Sequence, residues 1–230
     1  MKDPVVDVTF PHRWKAEILP SRPLILPQHH FVYPLYAEEV ERGALEVLIR
    51  PSSPGHAANR VDGLKGHDFS RANNDQQSAG ASAPEGSLPA HTTERSPSAQ
   101  EFLATCALGF RDPAVPTGLW SAPDPDEICA VAGGYAYLID TAHPTRFTMI
   151  VFRPVLEVRP LLEQGLLLFV GHHALLAWGA DGRAWQSEKL SDEGLTITGV
   201  RDGKLHGQGW NMLTDKETPF TLDLITGLPR

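Results

Sequence analysis

Two adjacent histidine pairs, His29-His30 and His172-His173, are the residues best suited by type to hold a metal ion. Their spacing works against that use. Neighbours on a strand point to opposite faces, so an adjacent pair can serve one ion only within a turn. His172-His173 falls at an expected turn, where two solvent-facing turn residues are the simpler reading, and no metal site is expected. The acidic group Asp124, Asp126 and Glu127 has the chemistry to bind calcium or to supply paired carboxylates for acid–base work. Its setting among prolines reads first as turn and cap chemistry. Asp192-Glu193-Gly194 reads the same way, because it lacks the regular ligand spacing of a calcium loop.

Four residues remain as candidate binding groups: Trp178, Trp185, His206 and Trp210. Indoles gathered on one sheet face would make a platform for a sugar or a peptide, and a partly buried histidine beside them would add a titratable group. A catalytic constellation is harder to find. The chain holds no G-x-x-x-x-G-K-[ST], G-x-G-x-x-G, G-x-S-x-G, H-E-x-x-H or C-x-x-C. No cofactor is therefore expected.

The elements that must carry these residues are strands. The 230 residues include 20 Gly and 20 Pro, which suits short strands and turns and argues against long helices. The clearest stretch is 165–224, which alternates strand and turn to its end. If Asp181-Gly182 is the two-residue turn of the segment 178–185, then Trp178 lies directly across from Trp185 on one face. The turn at Asp202-Gly203 pairs Val200 with Leu205 and Gly199 with His206. A continuous register from there puts Leu195, Ile197, His206 and Trp210 on one face. Gly133-Gly134 joins the strands ICAVA (128–132) and YAYLID (135–140). Earlier apolar stretches, VVDVTF (5–10), LIL (24–26), FVYPLY (31–36) and ALEVLIR (44–50), also have strand composition.

At Pro51 the composition changes. Residues 51–100 contain only Val61, Leu64, Phe69 and Leu88 as large apolar residues, too few to offset the entropy of ordering. We read 51–100 as a disordered low-complexity insertion in one discontinuous β domain made of 1–50 and 101–230. With the insertion set aside, ALEVLIR and EFLATCALGF (101–110) become an antiparallel pair. Residues 1–50 alone are too few for an independent core.

The strand spacing of the last third, with endings such as DLITG (223–227), resembles the blades of a β-propeller. A closed propeller implies at least four blades of four strands, against roughly 12 to 14 candidate strands here. The expected fold is all-β: an antiparallel meander with little helix, closing as a two-sheet sandwich or as a barrel-like or propeller-like core.

Composition narrows the function classes. The formal net charge of −8 with no Lys/Arg block disfavours nucleic acid as a partner. No apolar run reaches a membrane span, and the first residues lack a signal-length apolar core. A soluble cytoplasmic protein is expected, with Cys106 and Cys129 as buried thiols. The favoured function is a non-catalytic binding or interaction module for a protein or small-molecule ligand. A hydrolase-like or metal-dependent enzyme combining His206 with the carboxylates at 124–127 is one alternative. A structural protein that forms homo-oligomers through an exposed sheet edge is the other.

Overall fold

The computed structural model describes residues 3–35, 43–52 and 100–230. The bulk of the expected insertion, residues 53–99, lies outside the described residues. Sixteen strands run along the described chain: β1 Val5–Asp7, β2 Trp14–Leu19, β3 His30–Tyr33, β4 Ala44–Pro51, β5 Phe102–Ala107, β6 Gly118–Ser121, β7 Glu127–Ala132, β8 Tyr135–Asp140, β9 Phe147–Met149, β10 Glu157–Leu161, β11 Leu166–Val170, β12 Leu175–Gly179, β13 Gly182–Gln186, β14 Leu195–Arg201, β15 Lys204–Asn211 and β16 Lys216–Asp223. Helix is limited to one short 3-10 turn at Leu162–Gln164 among the described residues.

The strands divide into four sheets. In packing order, the first is β2-β4-β5-β3, the second β1-β6-β7-β8-β9, the third β10-β11-β12-β13 and the fourth β14-β15-β16. Three apolar cores join them face to face. Leu45, Val47, Ile49, Phe102 and Tyr33 of the first sheet meet Leu119, Ile128, Ala130 and Tyr137 of the second. The other face of the second sheet, with Trp120, Cys129, Val131 and Leu138, meets Leu167, Phe169, Leu176 and Trp178 of the third. The third sheet turns Leu166, Leu168, Val170, Ala177 and Trp185 toward Ile197, Leu205 and Leu222 of the fourth. Strands β7 and β11 are apolar on both faces for this reason: each lies in a sheet covered on both sides. Among the described residues, no buried cluster joins the fourth sheet back to the first.

The pairings follow from local chemistry. Gly133 and Gly134 take φ of +54° and +76°, and Asp202 and Gly203 take +50° and +69°. Both links are two-residue turns with two left-handed residues, whose twist matches that of the strands they join. ALEVLIR and the strand after residue 100 do form an antiparallel pair, with Ile49 opposite Phe102 and Ala44 opposite Ala107. Arg50 and Glu101 close its end as an ion pair.

Several expectations change. The meander is interrupted by two parallel pairings, β1 with β6 and β3 with β5, which bring chain-distant strands together. β2, in WKAEIL, was not anticipated; it is antiparallel to β4. LIL (24–26) forms no strand, and Leu24 and Ile25 are exposed; prolines at 20, 23 and 27 deny that segment a regular ladder.

Two bulges redirect the candidate residues. In the third sheet Gly179 pairs with Gly182 and Trp178 with Arg183, so Ala180-Asp181 is the turn; a bulge then places Trp185 opposite Ala177. Trp178 and Trp185 therefore point to opposite faces, not across from each other. In the fourth sheet Gly199 faces His206 as expected, but a bulge at Thr198 sets Ile197 opposite Gly207 and Leu195 opposite Gly209. Leu195 and Ile197 face the core, while His206 and Trp210 face away. One extra residue reverses every side chain beyond it, and burial drives the outcome: Trp178, Trp185, Leu195 and Ile197 each find a core, while Trp210 stays on the outer face.

Candidate functional site

The four residues singled out from the sequence are spread over three surfaces. Trp178 is buried between the second and third sheets, where its Nε1–H donates to Glu127 Oε2 at 2.8 Å. Trp185 is buried between the third and fourth sheets, and its Nε1–H donates to the Leu224 carbonyl at 2.7 Å. These two indoles share no open face. His206 and Trp210 do share one, the outer face of the fourth sheet. There the His206 ring lies 3.1 Å from Thr221 Oγ1, and the Trp210 Nε1–H donates to Asp215 Oδ1 at 3.3 Å.

The acidic turn is built as turn chemistry first. Asp124 Oδ1 accepts from the Asp126 amide at 2.9 Å, and Asp126 pairs with Arg13 at 3.1 Å across exposed surface. Glu127 is different. It opens β7 half-buried, its side chain holds Trp178, and its carbonyl accepts the Trp14 indole N–H at 3.0 Å. Burial pushes its carboxyl above the ordinary range, with Asp124 and Asp140 adding repulsion and the Trp178 bond pulling the other way. Glu127 thus joins three sheets: the first through Trp14, its own, and the third through Trp178. His206 lies beyond the third sheet, on the far face of the fourth, so the structure does not bring it to the 124–127 carboxylates.

His30 and His29 behave unlike each other. His30 Nε2 lies 2.9 Å from Thr105 Oγ1, whose single proton is donated to Glu46 Oε2 at 2.5 Å. With the hydroxyl proton committed, His30 Nε2 must carry the hydrogen that reaches Thr105. Thr105 and Glu46 are both buried, so this chain satisfies a carboxylate on the outer face of the first sheet. Burial lowers the His30 pKa, with Arg22 acting the same way and Glu46 opposing. His29 contributes its backbone carbonyl to the Leu103 amide at 2.9 Å. Among the described residues, no group of three or more His, Cys, Asp or Glu side chains is placed to hold a metal ion. Cys106 and Cys129 are free and buried, and burial raises both thiols well above their ordinary range.

A large concave feature lies where sequence reading offered no candidate. A groove of about 1130 Å³ opens at the lateral seam between the first and second sheets. Its walls include Val5 and Val6 of β1, Ile18 and Leu19 of β2, Leu108 and Phe110. β1 and β2 are edge strands of their sheets, and among the described residues each pairs on one side only, β1 with β6 and β2 with β4. Val5, Val6 and Phe110 are exposed. Asp3 and Asp112 stand at the groove with Arg111. The sequence signal was present in VVDVTF as strand composition. What made it a groove wall was its parallel pairing with β6, more than a hundred residues away. β1 sits tightly there, because a Cβ on Gly118 would fall 2.1 Å from the Val5 carbonyl oxygen.

No protein-family model matches this chain, and no curated protein matches it in sequence. No helix among the described residues is long and apolar enough to cross a membrane.

Proposed function

We propose that this chain is a non-catalytic β-rich binding module that takes an extended apolar segment of a partner protein along the groove between β1 and β2. The observation that carries the reading is the groove itself: about 1130 Å³ of concave space bordered by two edge strands. An edge strand offers a free row of N–H and C=O groups to an added strand, and apolar pockets beside it select alternate side chains. Exposed Val5, Val6 and Phe110 supply the apolar contacts. Asp3 and Asp112 outnumber Arg111 at the rim, which suits a segment with basic flanks. The reading includes a cytoplasmic location, supported by two cysteines held as free thiols.

Selection of displayed random peptides against the whole chain tests this. The expected result is enrichment of alternating apolar sequences whose binding is lost in Val6→Arg and kept in Gln208→Arg, on the outer face of the fourth sheet. Failure to enrich any peptide, or binding that Val6→Arg leaves intact, refutes the reading.

A further inference from the structure

The turn between β11 and β12 opens on a second, small cavity of about 150 Å³ that shares no lining residue with the groove. Arg153, His172, His173 and Gln186 supply its polar lining, with Phe152 and Pro154 as apolar wall. In a chain of net charge −8, the charged or chargeable groups lining this cavity are cationic, with no carboxylate among them. The guanidinium of Arg153 lies over the Tyr135 ring, 5.0 Å from its centroid. Among the described residues it makes no ion pair with a carboxylate, so its outward N–H groups are open to a ligand. The His173 Nδ1 is 3.2 Å from the Ser191 carbonyl oxygen. A carbonyl only accepts, so Nδ1 carries the hydrogen and the ring is held in one orientation. The two imidazoles stand with centroids 6.0 Å apart. The nearby carboxylate on the His173 side, Asp192, is already engaged by Lys189 at 2.6 Å and by the Met212 amide at 2.7 Å.

We propose that this cavity binds a small oxyanion of the phosphate or phosphomonoester class, held by Arg153 and oriented by His172, His173 and Gln186. Its volume equals several water molecules at about 30 Å³ each, room for one phosphate-sized group, and its open mouth leaves the rest of an ester outside. A planar fork beside two ring nitrogens and an amide suits a multi-oxygen anion better than a single carbonyl. Protonating either imidazole adds positive charge facing the site, with Arg153 beside it, Gln186 neutral across it, and Asp192 and Lys189 paired behind His173. Anion binding therefore strengthens as pH falls.

The test uses the whole chain and three probes: inorganic phosphate, phenyl phosphate, and sulfate, whose charge is constant across the pH range used. Binding is read by titration calorimetry and by the ring C2–H resonances of His172 and His173, assigned with His172→Gln and His173→Gln. The expected result is saturable binding that moves both resonances, weakens about tenfold or more in Arg153→Gln, and tightens for sulfate at lower pH. Tighter binding of phenyl phosphate points to an ester ligand, and equal binding to the free anion; either supports the site. Arg153 is exposed, so its replacement leaves the fold intact. Resonances that do not move, or binding unchanged in both Arg153→Gln and His172→Gln, overturn the proposal.

Discussion

Glu127 is the most testable residue in the molecule, because one carboxyl meets a raised pKa and a buried indole donor at once. Two replacements separate these roles. Glu127→Leu leaves the Trp178 Nε1–H in a buried setting without its acceptor. An unsatisfied buried donor costs about 1–3 kcal/mol, which for a chain of this size is a loss of roughly 2–12 °C in Tm. Glu127→Gln keeps an oxygen that accepts from Trp178 and removes the charge. The carboxyl binds its proton more tightly in the folded state, since burial raises its pKa. Its contribution to stability is therefore present below the unfolded value of about 4.3 and is lost as pH rises through the folded value. Relative to the native protein, Glu127→Gln should gain stability as pH rises from the unfolded value of about 4.3 through the raised folded value. Thermal and urea unfolding of the three proteins across that range is the assay. The reasoning fails if Glu127→Leu melts with the native protein. It also fails if Glu127→Gln loses ground as pH rises, for then the carboxylate is favoured by folding.

Two further outcomes follow from the sheets. Joining Ser52 to Gln100 through a short turn should leave a cooperative melt, because β4 and β5 pair up to Ile49–Phe102 and are clamped by Arg50–Glu101. Loss of the cooperative transition in differential scanning calorimetry would count against this. Cys106 and Cys129, buried with raised thiol pKa values, should react with an aromatic disulfide reagent near pH 8 only as fast as the protein opens, and at once in denaturant; rapid labelling of the native protein would contradict their placement.

The turns were the legible part of the fold. Gly133-Gly134 and Asp202-Gly203 each name a hairpin, because few residues tolerate two consecutive left-handed positions, and the structure places both links there. The antiparallel partnership of 44–50 with the strand after residue 100 was also readable, from two apolar strands flanking a stretch with few large apolar residues. The face each side chain takes was not readable at the bulges. Trp185, Ile197 and Leu195 lie one register step from where unbroken hairpins would put them, and a bulge leaves no clear mark in composition. The groove was hidden for a related reason: its walls come from Val5–Val6, Ile18–Leu19 and Leu108–Phe110, and nothing in a local pattern says that distant edge strands meet.

By itself, the amino-acid sequence determined a β protein: many strands, tight turns, acidic overall, with no catalytic motif. Those properties follow from glycine, proline and alternating apolar residues acting over a few positions. Only the tertiary structure decided that the strands form four stacked sheets, that Trp178 and Trp185 serve different cores, and that Glu127 fastens three sheets together. These depend on which faces lose water together when the whole chain packs. That gain in apolar burial is summed over residues far apart in sequence, and it outweighs the register preferred by any single turn.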